Sequence, residues 1–296
     1  MFINELEQAI AVREKNRPHG NPIRLSNTGK CPMATYLKML EFPERPLDPR
    51  VLLMFKTGDL SEQAFKNFAK DDLEGKGWEH FVFGKASTAV IDEEPINIYK
   101  QLKVLITVDD LEITGHLDGI GLKTWNSPYV IEFKTMSNFA FRRFEKGEID
   151  SSYNWQCQAY MEATGIKQCL LIAQRKETGH MAEQIINREK KYDVIGRWSK
   201  ILKAKPTSLP TREGSYNDAK EGGVKLAYPC SYCSFGSVCF ENLETEFQKG
   251  KPVMTAERTA EPKEITQRII EHIKSQDEDQ KEKVIKLKGG KNETQS

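Results

Sequence analysis

The segment GHLDGIGLKTWNSPYVIEFKT, from Gly115 to Thr135, carries Asp118, then Glu132 and Lys134 on either side of Phe133. Side chains of a strand alternate between its faces, so Glu132 and Lys134 share one face and Phe133 takes the other. His116 and Asp118 share a face in the same way. If a strand over 112–120 pairs with one over 129–135, Asp118 sits beside Glu132. Two apposed carboxylates repel unless a cation joins them, and a hard divalent ion takes oxygen ligands. An ammonium beside such an ion can orient a water molecule or stabilise charge on a phosphoryl oxygen. The same residues admit a plainer reading, in which Asp118 ends a strand and Glu132 and Lys134 form a surface ion pair. Apolar Val130, Ile131 and Phe133 around the acid place it in a core sheet.

A second constellation lies in YPCSYCSFGSVCF, where Cys230, Cys233 and Cys239 are spaced C-x2-C-x5-C. A closed tetrahedral set needs a fourth ligand, and Cys31 in GKCPMATY is the candidate. Cys157 and Cys169 fall in a predicted helix and a predicted strand and read as small buried apolar residues. Thiolate-only ligation suits zinc or an iron–sulfur cluster, and the spacing does not separate them.

The elements that must position these groups follow from periodicity. Residues 2–15 read as an amphipathic helix, and a second helix starts near Cys31. PLDPRVLLMFKTGDLSEQAFKNFAKDDL has apolar residues at helical spacing. HFVFGKASTAVI is rich in β-formers, and KVLITVDDLEITGHLDGIGL alternates around Asp109 and Asp110 as a hairpin does. PYVIEFKT is a further strand. Residues 151–164 are helical, LLIAQRK is a strand, 181–187 reads as another, and REKKYDVIGRWSKILKA is a helix. Helix, β-meander, helix and strand in that order predict a mixed α/β domain. Beyond Pro252 the chain is charged and lacks aromatics. One amphipathic helix around 261–275 is expected there, then a disordered tail.

Of the 296 residues, 38% are hydrophobic and 29% charged, with a formal net charge of +1. That supports a core and a soluble surface, and no global field advertises a nucleic-acid partner. There is no apolar run of about eighteen residues, so no transmembrane helix is expected. The amino-terminal residues lack the basic and apolar regions of a secretory signal, which makes the cytoplasm the expected location. EHFVFGKA fails as a phosphate-binding loop, with Glu79 and Ala86 at two of its defining positions.

GHLDGI and VIEFKT resemble the core of the PD-(D/E)XK nuclease superfamily. The resemblance implies a restriction-endonuclease-like core, a mixed central β-sheet flanked by helices. It makes Asp118 and Glu132 metal ligands for Mg2+ or Mn2+, with the Phe133 carbonyl, and Lys134 the catalytic lysine. QCQAY, from Gln156 to Tyr160, resembles the Q-x-x-x-Y motif of the RecB-like branch. Residues four apart share a helix face, so both would address the same site. TGDLSE resembles the upstream helix motif, with Glu62 where many relatives carry His. Cys31 with Cys230, Cys233 and Cys239 resembles the 4Fe–4S clip of RecB-like exonucleases, a group that includes CRISPR-associated adaptation nucleases and the AddB nuclease domain. A structural Zn2+ is the alternative.

The resemblance covers roughly residues 25–245. It implies a single nuclease domain over 1–252, closed by the clip, followed by 253–296 as helix and tail. The activity implied is Mg2+- or Mn2+-dependent hydrolysis of DNA phosphodiester bonds, as an exonuclease in recombination, repair or phage DNA processing. Arg142 and Arg143 would contact DNA, and a separate helicase or recombinase would be a partner. The location would be the host cytoplasm if the protein is viral. The other function class is a non-catalytic iron–sulfur or zinc DNA-binding subunit.

Overall fold

The computed structural model describes the chain apart from residues 1–4, 7, 11, 13–22, 47–48, 92–93, 125, 215, 219–222, 249–250 and 290–296. The helix expected over 2–15 falls largely outside the described residues. In chain order, helix α1 (Pro32–Met39) and the long helix α2 (Pro49–Phe68) precede strands β1 (His80–Val82), β2 (Ala86–Ile91), β3 (Glu94–Tyr99), β4 (Leu102–Val108), β5 (Leu111–Leu117), β6 (Gly119–Leu122) and β7 (Pro128–Met136). Helices α3 (Asn138–Glu145) and α4 (Ser151–Thr164) lead to β8 (Gln168–Arg175), β9 (Met181–Asn187) and α5 (Val194–Leu202). Then come β10 (Tyr216–Asp218), β11 (Val224–Leu226), α6 (Gly236–Cys239), β12 (Phe240–Glu241), β13 (Glu244–Gln248), β14 (Lys251–Ala256), β15 (Arg258–Thr259) and α7 (Pro262–Gly289).

The chain clusters into two compact units, Met1–Lys30 with Pro46–Ser199 and Cys31–Arg45 with Lys200–Ser296. The first is built on a mixed five-stranded sheet in the order β1-β6-β7-β8-β9, with helices packed against it. β7 pairs antiparallel with β6 and parallel with β8. Both central strands are buried along most of their length, as expected for strands covered on both faces. Phe65 of α2 stacks on Phe133 of β7 with centroids 5.1 Å apart. Gly58 lets α2 run close to β7, since a Cβ there would lie 3.2 Å from Thr135 Oγ1.

The β4–β5 hairpin forms as expected, with Asp109 and Asp110 both at positive φ, the conformation a two-residue hairpin turn requires. The single strand expected over 112–120 does not form. β5 pairs with β4, β6 pairs with β7, and Asp118 stands between them. The physical reason is a contact with β7: the Asp118 carboxylate accepts the Phe133 N–H at 2.8 Å, so its side chain takes up a strand donor where the pairing of β6 with β7 ends. α4 starts where Asp150 accepts the Ser152 N–H at 2.9 Å and ends at Gly165 with φ 73°, an N-cap and a left-handed C-cap. The helix expected from Arg188 starts at Val194, because Asp193 accepts the Gly196 N–H at 2.8 Å and so caps it there.

In the second unit, β10-β11-β14-β13 form one sheet and β12 pairs with β15. Met33, Tyr36 and Leu37 of α1 pack with Phe235, Val238, Ala260, Ile265 and Ile269. Ile265, Ile269 and the partly buried Ile273 recur at helical spacing, the amphipathic stripe expected around 261–275. Pro252, where the compositional boundary was drawn, lies inside β14, and Met254 and Ala256 are buried in this unit. Among the described residues no helix is long and apolar enough to cross a membrane.

Candidate active site

In the first unit a cavity of about 230 Å³ is lined by Glu62 of α2, Gln101 before β4, Asp118, Glu132 to Lys134 of β7, and Gln156 and Tyr160 of α4. Arg24, Ser26, Gly115 and His116 complete the wall. The alternation of β7 turns Glu132 and Lys134 the same way, and the register of β6 on β7 places Gly119 opposite Ile131, so Asp118 adjoins Glu132.

Asp118 and Glu132 are 3% and 1% exposed, so the pair that Glu132 makes with Lys134 is not the surface ion pair of the plainer reading. Asp118 Oδ1 accepts from Gln101 Nε2 at 2.6 Å, while Oδ2 holds the Phe133 N–H. Glu132 Oε1 accepts from Gln156 Nε2 at 2.7 Å and pairs with the Lys134 ammonium. Glu132 Oε2 is buried and has no hydrogen-bond partner. Tyr160 donates to the His116 carbonyl at 2.9 Å and lies 3.2 Å from Gln156 Nε2. Gly115 makes room for this, since a Cβ there would meet Leu25 at 2.7 Å and the Tyr160 ring at 3.0 Å. The i, i+4 pair predicted from QCQAY therefore clamps Glu132 from the helix side.

Electrostatics follow from this crowding. Burial and then the Glu132 charge push Asp118 up to about 6. Burial raises Glu132, against the pull of Lys134. Burial and then Asp118 raise Glu62. For Lys134, burial acts downward, but Glu132 and Asp118 outweigh it and raise the ammonium. Burial and then Glu132 hold the Tyr160 hydroxyl well above its usual range.

All seven residues expected at this centre, Glu62, Asp118, Glu132, Phe133, Lys134, Gln156 and Tyr160, line this cavity. Arg142 and Arg143 do not: both are exposed on α3, and Arg143 pairs with Glu148 at 2.7 Å. Tyr153 faces Lys134, with the ammonium 5.8 Å from its ring centre, whereas Trp155 packs on Tyr192 and under Arg197. Two members were missed. Lys66, fully buried one turn after Glu62, pairs with its carboxylate at 2.5 Å, and the i, i+4 spacing was the available signal. Gln101 lies outside every motif, and nothing in its sequence context marks it.

Among the described residues no set of three or more His, Cys, Asp or Glu side chains forms a ready metal-binding group. The donors nonetheless fit a hard divalent cation: they are oxygens, they crowd one another, and Glu132 Oε2 is an orphaned buried acceptor. Gln101, Lys66 and Lys134 supply the opposing N–H groups.

The four expected thiol ligands all belong to the second unit. Burial and then the Cys233 charge push Cys239 up to about 12, with Cys31 and Cys230 adding to it. Burial raises Cys233, and Cys31 and Cys230 act on it too. Cys31 Sγ accepts the Glu213 N–H at 3.3 Å, and Gly214 is so close that a Cβ would lie 2.5 Å from Cys230 Sγ. Among the described residues these thiols do not make up a group of three or more that could hold a metal ion or cluster. Cys157 and Cys169 are buried in the first unit and stand outside this set.

No family model matches the chain, and no curated protein matches it. Similar solved structures include SSO0001, with 16% identity and a TM-score of 0.46 over 81% of this chain and 96% of that one. Another is an alkaline exonuclease, LHK-Exo, from Laribacter hongkongensis, with 12% identity and a TM-score of 0.37 over 66% of this chain and 90% of that one. The same exonuclease in complex with dAMP gives 13% identity and a TM-score of 0.38 over 67% and 90%. At these values the likeness carries no argument about this chain, and the site rests on its own geometry.

Proposed function

We propose that the first unit is a nuclease that hydrolyses phosphodiester bonds in DNA with Mg2+ or Mn2+. The observation that carries this reading is the buried pair Asp118 and Glu132, which line one cavity with Lys134 beside them and Glu132 Oε2 buried without a partner. Asp118, Glu132 and the Phe133 carbonyl would hold the cation, with Glu62 adding a carboxylate. The cation would supply Lewis-acid stabilisation of charge on the phosphoryl group. Lys134, held by Glu132, places an ammonium where negative charge develops in the transition state. Gln156 and Tyr160 fix the Glu132 carboxylate, and Tyr153 limits the swing of Lys134. Arg142 and Arg143 would meet the phosphate backbone away from the cavity.

In the second unit Cys31, Cys230, Cys233 and Cys239 would ligate a 4Fe–4S cluster, whose chemistry there is structural. Their place in one compact unit and the Glu213 N–H held by Cys31 Sγ support this assignment. Exonuclease action and a role in recombination, repair or phage DNA processing, beside a separate helicase or recombinase, belong to the same proposal.

The test is cleavage of labelled single- and double-stranded DNA with Mg2+, with Mn2+ and with chelator, alongside Asp118→Ala, Glu132→Ala and Lys134→Ala. Metal-dependent cleavage that falls by about 100-fold or more in each variant is expected. Near-native rates in all three correctly folded variants would overturn the assignment.

A further inference from the structure

We propose that Gln101 is a metal-site residue: its side-chain nitrogen holds Asp118 and Glu62 together in the cation-free protein, and its carbonyl oxygen turns to the cation on binding. The inference rests on the reading of the cavity as a divalent-metal site. Gln101 Nε2 lies 2.6 Å from Asp118 Oδ1 and 3.3 and 3.4 Å from the two oxygens of Glu62. Three carboxylate oxygens from two separate segments thus converge on one nitrogen. A point surrounded in that way is where a hard cation gains most, and the neutral N–H groups of an amide occupy it at no cost in buried charge.

The backbone behind Gln101 is fixed. Tyr99 exchanges both backbone hydrogen bonds with the Gln63 side chain, at 2.9 and 2.8 Å. Gly84 donates to the Lys100 carbonyl at 2.8 Å, and it closes so tightly that a Cβ would lie 2.6 Å from the Gln101 carbonyl. The side chain is the part left to move. Its terminal torsion is broad and roughly two-fold, and half a turn exchanges a donor for an acceptor of the same size at the same place. An amide carbonyl is an established ligand for hard cations. Gln101 therefore serves both states without displacement of the chain. Its neighbour Lys66 cannot, because an ammonium has no acceptor.

The experiment is calorimetric titration of Mn2+ into the full chain, without DNA, for the wild type, Gln101→Ala, Gln101→Glu and Asp118→Asn, with circular dichroism as the folding control. Expected are saturable binding by the wild type, loss of that binding in Asp118→Asn, and about tenfold weaker binding in Gln101→Ala. Gln101→Glu, which keeps an oxygen, should bind at least as tightly as the wild type. Unchanged or tighter binding in Gln101→Ala overturns the proposal and leaves the metal site standing. Should Gln101→Ala fail to fold, weaker binding in Gln101→Glu overturns it. If the wild type binds no more Mn2+ than Asp118→Asn, the metal site itself falls, and the role of Gln101 with it.

Discussion

The amide of Gln156 donates to Oε1 of Glu132 at 2.7 Å, so a helix side chain sets the direction of a buried acid on the central strand. The same nitrogen lies 3.2 Å from the Tyr160 hydroxyl, which is itself tied to the His116 carbonyl. Groups that orient a ligand carboxylate typically contribute about 10- to 100-fold in activity. Gln156→Ala is therefore expected to lower the cleavage rate in that range. Tyr160→Phe should cost less, because the bond from Gln156 to Glu132 survives. Steady-state rates for the two variants check the order, and a greater loss in Tyr160→Phe would reverse it.

Asp118 supplies a pH test. Its carboxyl is pushed up to about 6 by burial and by Glu132, from a usual 3.8. Between those values the native state binds more protons than the unfolded chain, so the contribution to stability is full below the unfolded value and is lost as pH rises through the folded one. Asp118→Asn removes the buried charge and keeps the shape. In chelator its melting temperature should exceed that of the wild type at pH 8, with a smaller gap at pH 5. Equal melting temperatures at both values would show that the carboxylate is not strained.

Lys66 and Glu62 form a pair in which the lysine side chain is 0% exposed and the acid 17%. Removing one member of a buried pair commonly costs about 3–5 kcal/mol. Lys66→Met, which leaves Glu62 facing Asp118 uncompensated, should cost that much, and Glu62→Gln less. The double variant should lose well under the sum of the two single losses. Denaturant melts of all four proteins give the coupling energy, and a value near zero would mean that the pair contributes nothing.

The thiols of the second unit supply the fourth test. Protein purified without oxygen is expected to be brown with broad visible absorbance, and to contain iron. Cys31→Ser should bleach it and lower its melting temperature, whereas Cys157→Ser and Cys169→Ser should keep the colour. Stoichiometric zinc without iron would assign the site to zinc. Full colour in Cys31→Ser with bleaching in Cys157→Ser would move the ligand set to the first unit.

Much of the site was legible because periodicity is local. Alternation along PYVIEFKT set Glu132 and Lys134 on one face, and the four-residue step from Gln156 to Tyr160 aimed both at the same place. The alternating pattern of KVLITVDDLEITGHL marked the hairpin, and the paired Asp109 and Asp110 marked its turn. The strand break at Asp118 was not legible, since it depends on the Phe133 N–H donating to the Asp118 carboxylate from another segment.

By itself, then, the sequence determined which residues could share a face and which kinds of donor they bring: oxygens in one group, sulfurs in the other. Only the tertiary structure decided that Glu62, from a helix 56 residues before Asp118 in the chain, meets it across Gln101. It also decided that Lys66 is buried as a counter-charge, and that Arg142 and Arg143 stand outside the cavity. The physical reason is that spacing fixes direction within one helix or strand. Contact between elements depends on packing over the whole sheet, which no short stretch of chain encodes.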